Sequence, residues 1–219
     1  MASLTIKDPL RLSADDLSLV LDAAEELIIT NGIRMVSIQS LAEKCQIPAA
    51  AISRHFYGIE DIVSHCLSRE IDAIIDEIPK RGADITSLRA RVTTTFVETV
   101  MALIQAPVTA ALREWEPELL VPLFLDRQPL DSSRFVSKFV EMMNDVEGRE
   151  IDIRDLSEEF NQFANISVSV TQSFLLLSDN TRQEIGDEGI ARQLYTLVDR
   201  YLVPLPGEKT FACDELPRS

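Results

Sequence analysis

Apolar residues along this chain recur every three to four positions, the period of α-helices that bury one face. The first run is Leu17, Val20, Leu21, Ala24, Leu27 and Ile28. Ser13, followed three residues later by Asp16, has the form of a capping box at its start, and Asn31-Gly32 supplies a stop. A short second helix fits Ser37 to Cys45, with Ser37 as N-cap and Ile38, Leu41 and Ala42 facing inward. Pro48 then opens a third piece, AAAISRHFYG, since proline suits a first helical turn. Ile59, Ile62, Val63, Cys66, Leu67, Ile71, Ile74, Ile75 and Ile78 predict a long fourth helix ended by Pro79.

The pattern continues beyond Arg81-Gly82. Leu88, Val92, Phe96 and Leu103 predict a helix ended near Pro107, and shorter pieces follow around 110–115 and 118–125. Phe135, Phe139 and Met142 place another before Gly148. From Asp155 to Leu177 a stripe of Leu156, Phe160, Phe163, Ala164, Val170 and Phe174 predicts a long helix. Within it, residues 166–171 alternate with period 2 and read locally as strand, but no other segment offers a partner, so helix is expected. A last amphipathic helix carries Ile190, Leu194, Leu197, Val198, Tyr201 and Leu202 up to Pro204. The expected fold is all-α with about nine helices and no internal repeat. Residues 1–58 form an N-terminal domain, 59–204 a larger C-terminal one, and 205–219 a loose tail.

Composition narrows the function classes. Seven glycines and ten prolines in 219 residues, with 46% hydrophobic, exclude a disordered or collagen-like chain. A formal charge of −15 argues against a protein that coats nucleic acid or lies on anionic membrane, so any nucleic-acid reading must rest on a local surface. Cys45, Cys66 and Cys213 are odd in number and scattered, which excludes a disulfide framework and points to a reducing cytoplasm. The N-terminus has no apolar signal region, and no apolar run approaches the roughly 20 residues of a membrane helix. Two histidines and no glycine-flanked serine leave no nucleophile–base pair, so no enzyme activity is expected. His65 and Cys66 are adjacent and point about 100° apart on a helix, which does not suit a metal; no metal or cofactor is expected. Cys45 reads as a buried small hydrophobe before it reads as an oxidant sensor.

Three helices in the first 58 residues, the second and third joined near Gln46-Ile47, form the pattern of a helix-turn-helix, whose last helix lies in the DNA major groove. Ile52 and Phe56, four apart, face inward; Ala49, Ala50, Ser53, Arg54 and Tyr57 lie on the other side. Residues 33–58 hold Arg34, Lys44 and Arg54 against Glu43, a local charge of +2. Residues 16–67 resemble the DNA-binding region of the TetR family of bacterial regulators. The likeness runs through LDAAEELIITNGIRMVSIQSLAEKC, the turn, His55-Phe56 and the acidic Glu60-Asp61.

The resemblance implies a homodimer on a palindromic double-stranded operator, more often repressor than activator, with an all-α C-terminal domain that binds a small effector. Ser37 and Gln39 match the start of helix two, which touches phosphate in the family. Pro48, Ala49 and Ala50 match the usual Ser-Lys-Gly opening of the recognition helix, and His55 matches the usual His. Ser53 and Arg54 stand where tyrosines are common, and Ile59 where a phosphate-binding Lys is common. The candidate DNA contacts are thus Ser37, Gln39, Lys44, Pro48, Ala49, Ala50, Ser53, Arg54 and His55, with Arg54 able to read guanine and Ala49–Ala51 able to meet thymine methyls. His55 reads equally as a phosphate donor or a half-buried helix-end histidine.

Phe96, Met101, Trp115, Phe124, Phe135, Met142 and Phe163 are candidates to border an apolar effector cavity, with Gln105, Arg113 and Glu114 as polar anchors; ordinary core is the competing reading for each. Phe174, Leu175, Leu177, Ile190, Leu194, Leu197 and Tyr201 give the last two long helices excess apolar surface, which suits a four-helix dimer bundle; burial inside one subunit is the competing reading. The other reading of the whole chain is a dimeric small-molecule-binding or scaffold protein whose operator binding has degenerated.

Overall fold

A computed structural model describes residues 12–120, 132–147 and 158–202. Among them the fold is all-α, without strands. The helices are α1 (Ala14–Asn31), α2 (Ile38–Cys45), α3 (Ala49–His55), α4 (Ile59–Asp76), α5 (Leu88–Gln105), α6 (Pro107–Trp115), α7 (Ser132–Glu147), α8 (Glu158–Leu175), α9 (Asp179–Ile185) and α10 (Asp187–Leu197). The tail at 205–219 and Phe124 lie outside the described residues, as do the side chains of Phe163 and Tyr201.

Local chemistry sets the element ends. Ser13 Oγ accepts from Asp16 N–H at 3.1 Å while Asp16 Oδ2 accepts from Ser13 N–H at 3.0 Å, closing the capping box of α1. Gly32 ends α1 at φ 75°, in the left-handed region open to glycine. Ser37 caps α2, with Ser40 returning the bond, and Gln46 at φ 57° makes the left-handed turn toward α3. The alternating stretch at 166–171 is helical. Ser169 and Thr171 donate their hydroxyls to the carbonyls of Asn165 and Ser167, so polarity that suggested a strand is absorbed inside the helix. The fourth helix stops at Asp76, and Ile78–Lys80 is a separate 3-10 turn rather than a continuation to Pro79. The pattern missed α9, because Asp-Asn-Thr-Arg-Gln-Glu-Ile carries no apolar stripe.

The described residues fall into two compact units. The first lies within residues 1–74, 102–131 and 172–179. Its core holds Val20, Ala24, Ile28, Leu41, Ile52, Phe56, Ile62, Leu67 and Ile71, all essentially out of solvent. Each large aliphatic there contributes about 1.5–3 kcal/mol of burial. The second lies within residues 75–101, 132–171 and 180–219. Phe96, Phe135 and Phe139 form its aromatic cluster, with centroids 4.8 Å apart for Phe135–Phe139 and 6.3 Å for Phe96–Phe135. Buried Arg91 crosses this unit, donating to Pro79 O at 2.8 Å and to Asp145 at 3.2 Å. No single described helix is long and apolar enough to cross a membrane.

Candidate nucleic-acid interface

The surface of the first unit is built on α1, which buries Val20, Leu21, Ala24 and Ile28 against its neighbours. Leu41 and Cys45 seat α2, and Ala51, Ile52 and Phe56 seat α3. This leaves Pro48, Ala50, Ser53, Arg54, His55 and Tyr57 exposed, with Ala49 half-buried. The inward face expected for Ile52 and Phe56 is the observed one. Ala51 is corrected: it is buried beside Ile52, so it has no methyl to offer a base. His55 is exposed and meets the Phe56 ring edge-on at 4.8 Å.

The polar candidates are mostly engaged within the protein. Ser37 Oγ is committed to the cap of α2. Gln39 donates to Glu43 at 2.8 Å, and Lys44 pairs with Glu26 at 2.8 Å. Arg34 Nε binds Glu116 Oε1 at 2.7 Å, and the Glu116 side chain is only 8% exposed. Two of the three cations in 33–58 are therefore matched by acids that lie outside that stretch. The local +2 read from the sequence does not carry over to the surface.

Beyond α3 the chain turns sharply into α4. Phe56 is buried between His55 and His65, whose ring lies 5.4 Å away edge-on. Asp61 Oδ2 accepts the Tyr57 N–H at 3.0 Å, and His65 Nδ1 lies 2.8 Å from the Asp61 carbonyl. Tyr57 stands on this braced turn with its side chain wholly in solvent. The sequence placed it on the outer side but did not mark it as a contact; an aromatic directly after the last inward residue was the signal.

Helix α6 is held at both ends within the same unit. Its N-cap, Ala106, has no side-chain acceptor. The carboxylate of Glu70 on α4 takes that place, accepting from Val108 N–H at 2.7 Å, Thr109 N–H at 3.1 Å and Thr109 Oγ1 at 3.0 Å. Burial raises the Glu70 pKa above the ordinary carboxylate value, although these three bonds pull it down. At the other end Trp115 covers Gly32, where an added Cβ would lie 3.2 Å from the Trp115 side chain. The adjacent Glu116 holds Arg34. Neither Glu70 nor Glu116 stood out in the sequence, because each works across a long chain separation.

The two described cysteines, Cys45 and Cys66, are shielded. Cys66 is fully buried and its thiol pKa is pushed up to about 12 by that burial. Burial also raises Cys45, in keeping with its role as a small hydrophobe.

Of the effector candidates, the structure brings together Phe96 and Phe135. Met142 is also buried and Met101 half-buried, while Gln105 and Glu114 are exposed. Trp115 packs on Gly32 instead, and Arg113 is buried and donates to the Ile104 carbonyl at 2.9 Å. Among the dimer candidates, Leu175, Ile190 and Leu194 are buried within the single chain, while Phe174, Leu177 and Leu197 are half-exposed.

A family model for bacterial regulatory proteins, tetR family, matches residues 20–66, from α1 into α4. A TetR-family transcriptional regulator from Streptomyces coelicolor is similar in structure over 87% of this chain and 97% of its own, at 18% identity and a TM-score of 0.57. The fatty acid degradation regulator FadR from Bacillus halodurans is similar over 88% and 98%, at 11% identity and a TM-score of 0.55. At these identities the two structures speak to the fold. No curated protein matches the chain by sequence.

Proposed function

We propose, from the match of residues 20–66 to the tetR family of bacterial regulatory proteins, that the chain is a ligand-responsive transcriptional repressor of the TetR type. It binds a palindromic operator as a homodimer, with α3 of each protomer in a major groove, and a small apolar effector releases it. Residues 1–58 carry the DNA contacts and 59–204 the effector site and dimer surface; the protein works in the cytoplasm and is not an enzyme. The single observation that carries the DNA reading is the exposed edge of α3. Ala50, Ser53, Arg54 and His55 face outward from a helix whose other side is sealed by Ile52 and Phe56. Small and polar side chains on the outer edge suit close approach to base edges, and Arg54 is the one able to bind guanine through two hydrogen bonds. The aromatic cluster of Phe96, Phe135 and Phe139 supports an apolar effector.

The test is an anisotropy titration against duplex from the protein's own upstream region. Tight binding is expected, with Arg54→Ala losing about 1–3 kcal/mol for each base contact removed. A second reading has its own support: Ala49 and Ile59 carry no charge, and Lys44 and Arg34 are paired to acids. Under it the protein is a dimeric small-molecule-binding or scaffold protein. Binding no tighter than to random duplex at moderate salt would favour that reading. Sedimentation as a monomer at micromolar concentration would remove the half-site geometry from either.

A further inference from the structure

The turn between α3 and α4 carries the most exposed large side chain with apolar surface among the described residues. Tyr57 has a relative exposure of 101%, against 59% for Met35, the next. Its backbone is not loose. Phe56 is anchored in the core at 2% exposure, the Tyr57 N–H is held by Asp61, and Asp61 is backed by His65. A rigid turn thus presents an aromatic ring with a polar tip to solvent, one residue beyond the last buried position of α3.

The position determines what the ring meets. When a helix reads base edges in the major groove, a residue just past its end reaches the wall of the groove, which is sugar and phosphate. Tyrosine is one of the ordinary side-chain donors to phosphate oxygens. Its neutrality matters at this place, because Glu60 and Asp61 lie three and four residues on, in the first turn of α4. A cation there would be drawn to those acids, as Lys44 is to Glu26 and Arg34 to Glu116. A phenol has no charge for them to capture.

We propose that Tyr57 grips the operator backbone, its hydroxyl donating a hydrogen bond to a DNA phosphate beside the base pairs read by α3. The proposal rests on the DNA-binding reading given above. It adds a contact that is independent of sequence and independent of counterion release. A neutral donor displaces no condensed cation, so it strengthens binding without steepening the salt dependence.

The experiment uses the full chain and two duplexes, the protein's own upstream region and a random sequence, each titrated over a series of salt concentrations. Tyr57→Phe removes the hydroxyl and keeps the ring, and the exposed site means that the variant folds as the wild type does; circular dichroism checks this. The expected result is about tenfold weaker binding, of the size of one hydrogen bond to a charged group. The loss should be equal on both duplexes, with an unchanged slope of log affinity against log salt, and Tyr57→Ala should be no weaker than Tyr57→Phe. Three outcomes overturn the proposal while leaving the DNA reading intact. They are wild-type affinity for Tyr57→Phe, a loss that appears only in Tyr57→Ala, and a loss confined to the upstream duplex. Wild-type protein that does not prefer its upstream region overturns the DNA reading and this proposal together.

Discussion

Removing the Glu70 carboxylate strips the start of α6 of its cap. In Glu70→Ala the N–H groups of Val108 and Thr109 and the Thr109 hydroxyl lose their acceptor together. Both residues are 1% exposed, so water does not replace it. Loss of an N-cap costs about 1 kcal/mol, and each buried donor left unsatisfied costs about 1–3 kcal/mol. Part of this is returned, because a carboxylate that was costly to bury is gone. The expected net loss is about 2–4 kcal/mol, read as a fall in Tm of roughly 5–12 °C for a domain of this size. Urea unfolding of the full chain measures it. Glu70→Gln keeps one acceptor oxygen, able to serve both Thr109 donors, but turns an amide NH2 toward the Val108 N–H, so it should fall between wild type and Glu70→Ala. The pH dependence gives a second handle. Burial raises the folded-state pKa above the ordinary carboxylate value of 4.5, so the stability linked to Glu70 is fully present below that value. It is lost as pH rises through the folded pKa. Relative to Glu70→Gln, the wild type should gain stability on acidification across that window. A Glu70→Ala variant within about 0.5 kcal/mol of wild type would refute the capping role, and a flat difference against Glu70→Gln would refute the balance between burial and hydrogen bonding.

Two further outcomes follow from the same unit. Gly32→Ala should destabilise the fold by about 1–2 kcal/mol in thermal unfolding, because φ is 75° and the new Cβ meets Trp115 at 3.2 Å. Trp115→Ala in the same chain should relieve only the steric part, since the backbone strain stays. Ile59→Lys adds a cation at the head of α4, and if that side chain reaches a phosphate it steepens the salt slope by about 0.9 per contact; an unchanged slope would show that Glu60 and Asp61 hold it instead.

The helices with strong apolar stripes were legible because a 3.6-residue period is set by the chain itself. Ser13 and Ser37 marked the starts of α1 and α2 for the same reason: a capping bond spans three residues. What escaped had no local signature. The heptad of α9 carries no apolar stripe, whereas 166–171, expected as helix despite its alternation, is helical with its hydroxyls bonded to the preceding turn. Tyr57 was visible as an outward residue, but its presentation depends on Phe56, Asp61 and His65 acting together.

Charge was the least legible property, and it decides how the proposed interface is supplied with cations. A count over residues 33–58 omits Glu26 and Glu116, the latter 82 positions from the arginine it binds. The two pairs are not equivalent. Lys44–Glu26 is an exposed pair, with side chains 36% and 63% accessible, and such pairs are worth about 0–1 kcal/mol. Lys44 can exchange Glu26 for a phosphate at little cost, and Glu26 returns to water. Arg34 is itself exposed, which screens the pair, but Glu116 is buried at 8%, so taking the arginine away leaves a desolvated carboxylate uncompensated and costs more than releasing Lys44 from Glu26. Of the two cations that looked interchangeable in the sequence, Lys44 is the one the proposed interface could draw on, while Arg34 is held by Glu116 and ties the turn after α1 to the end of α6.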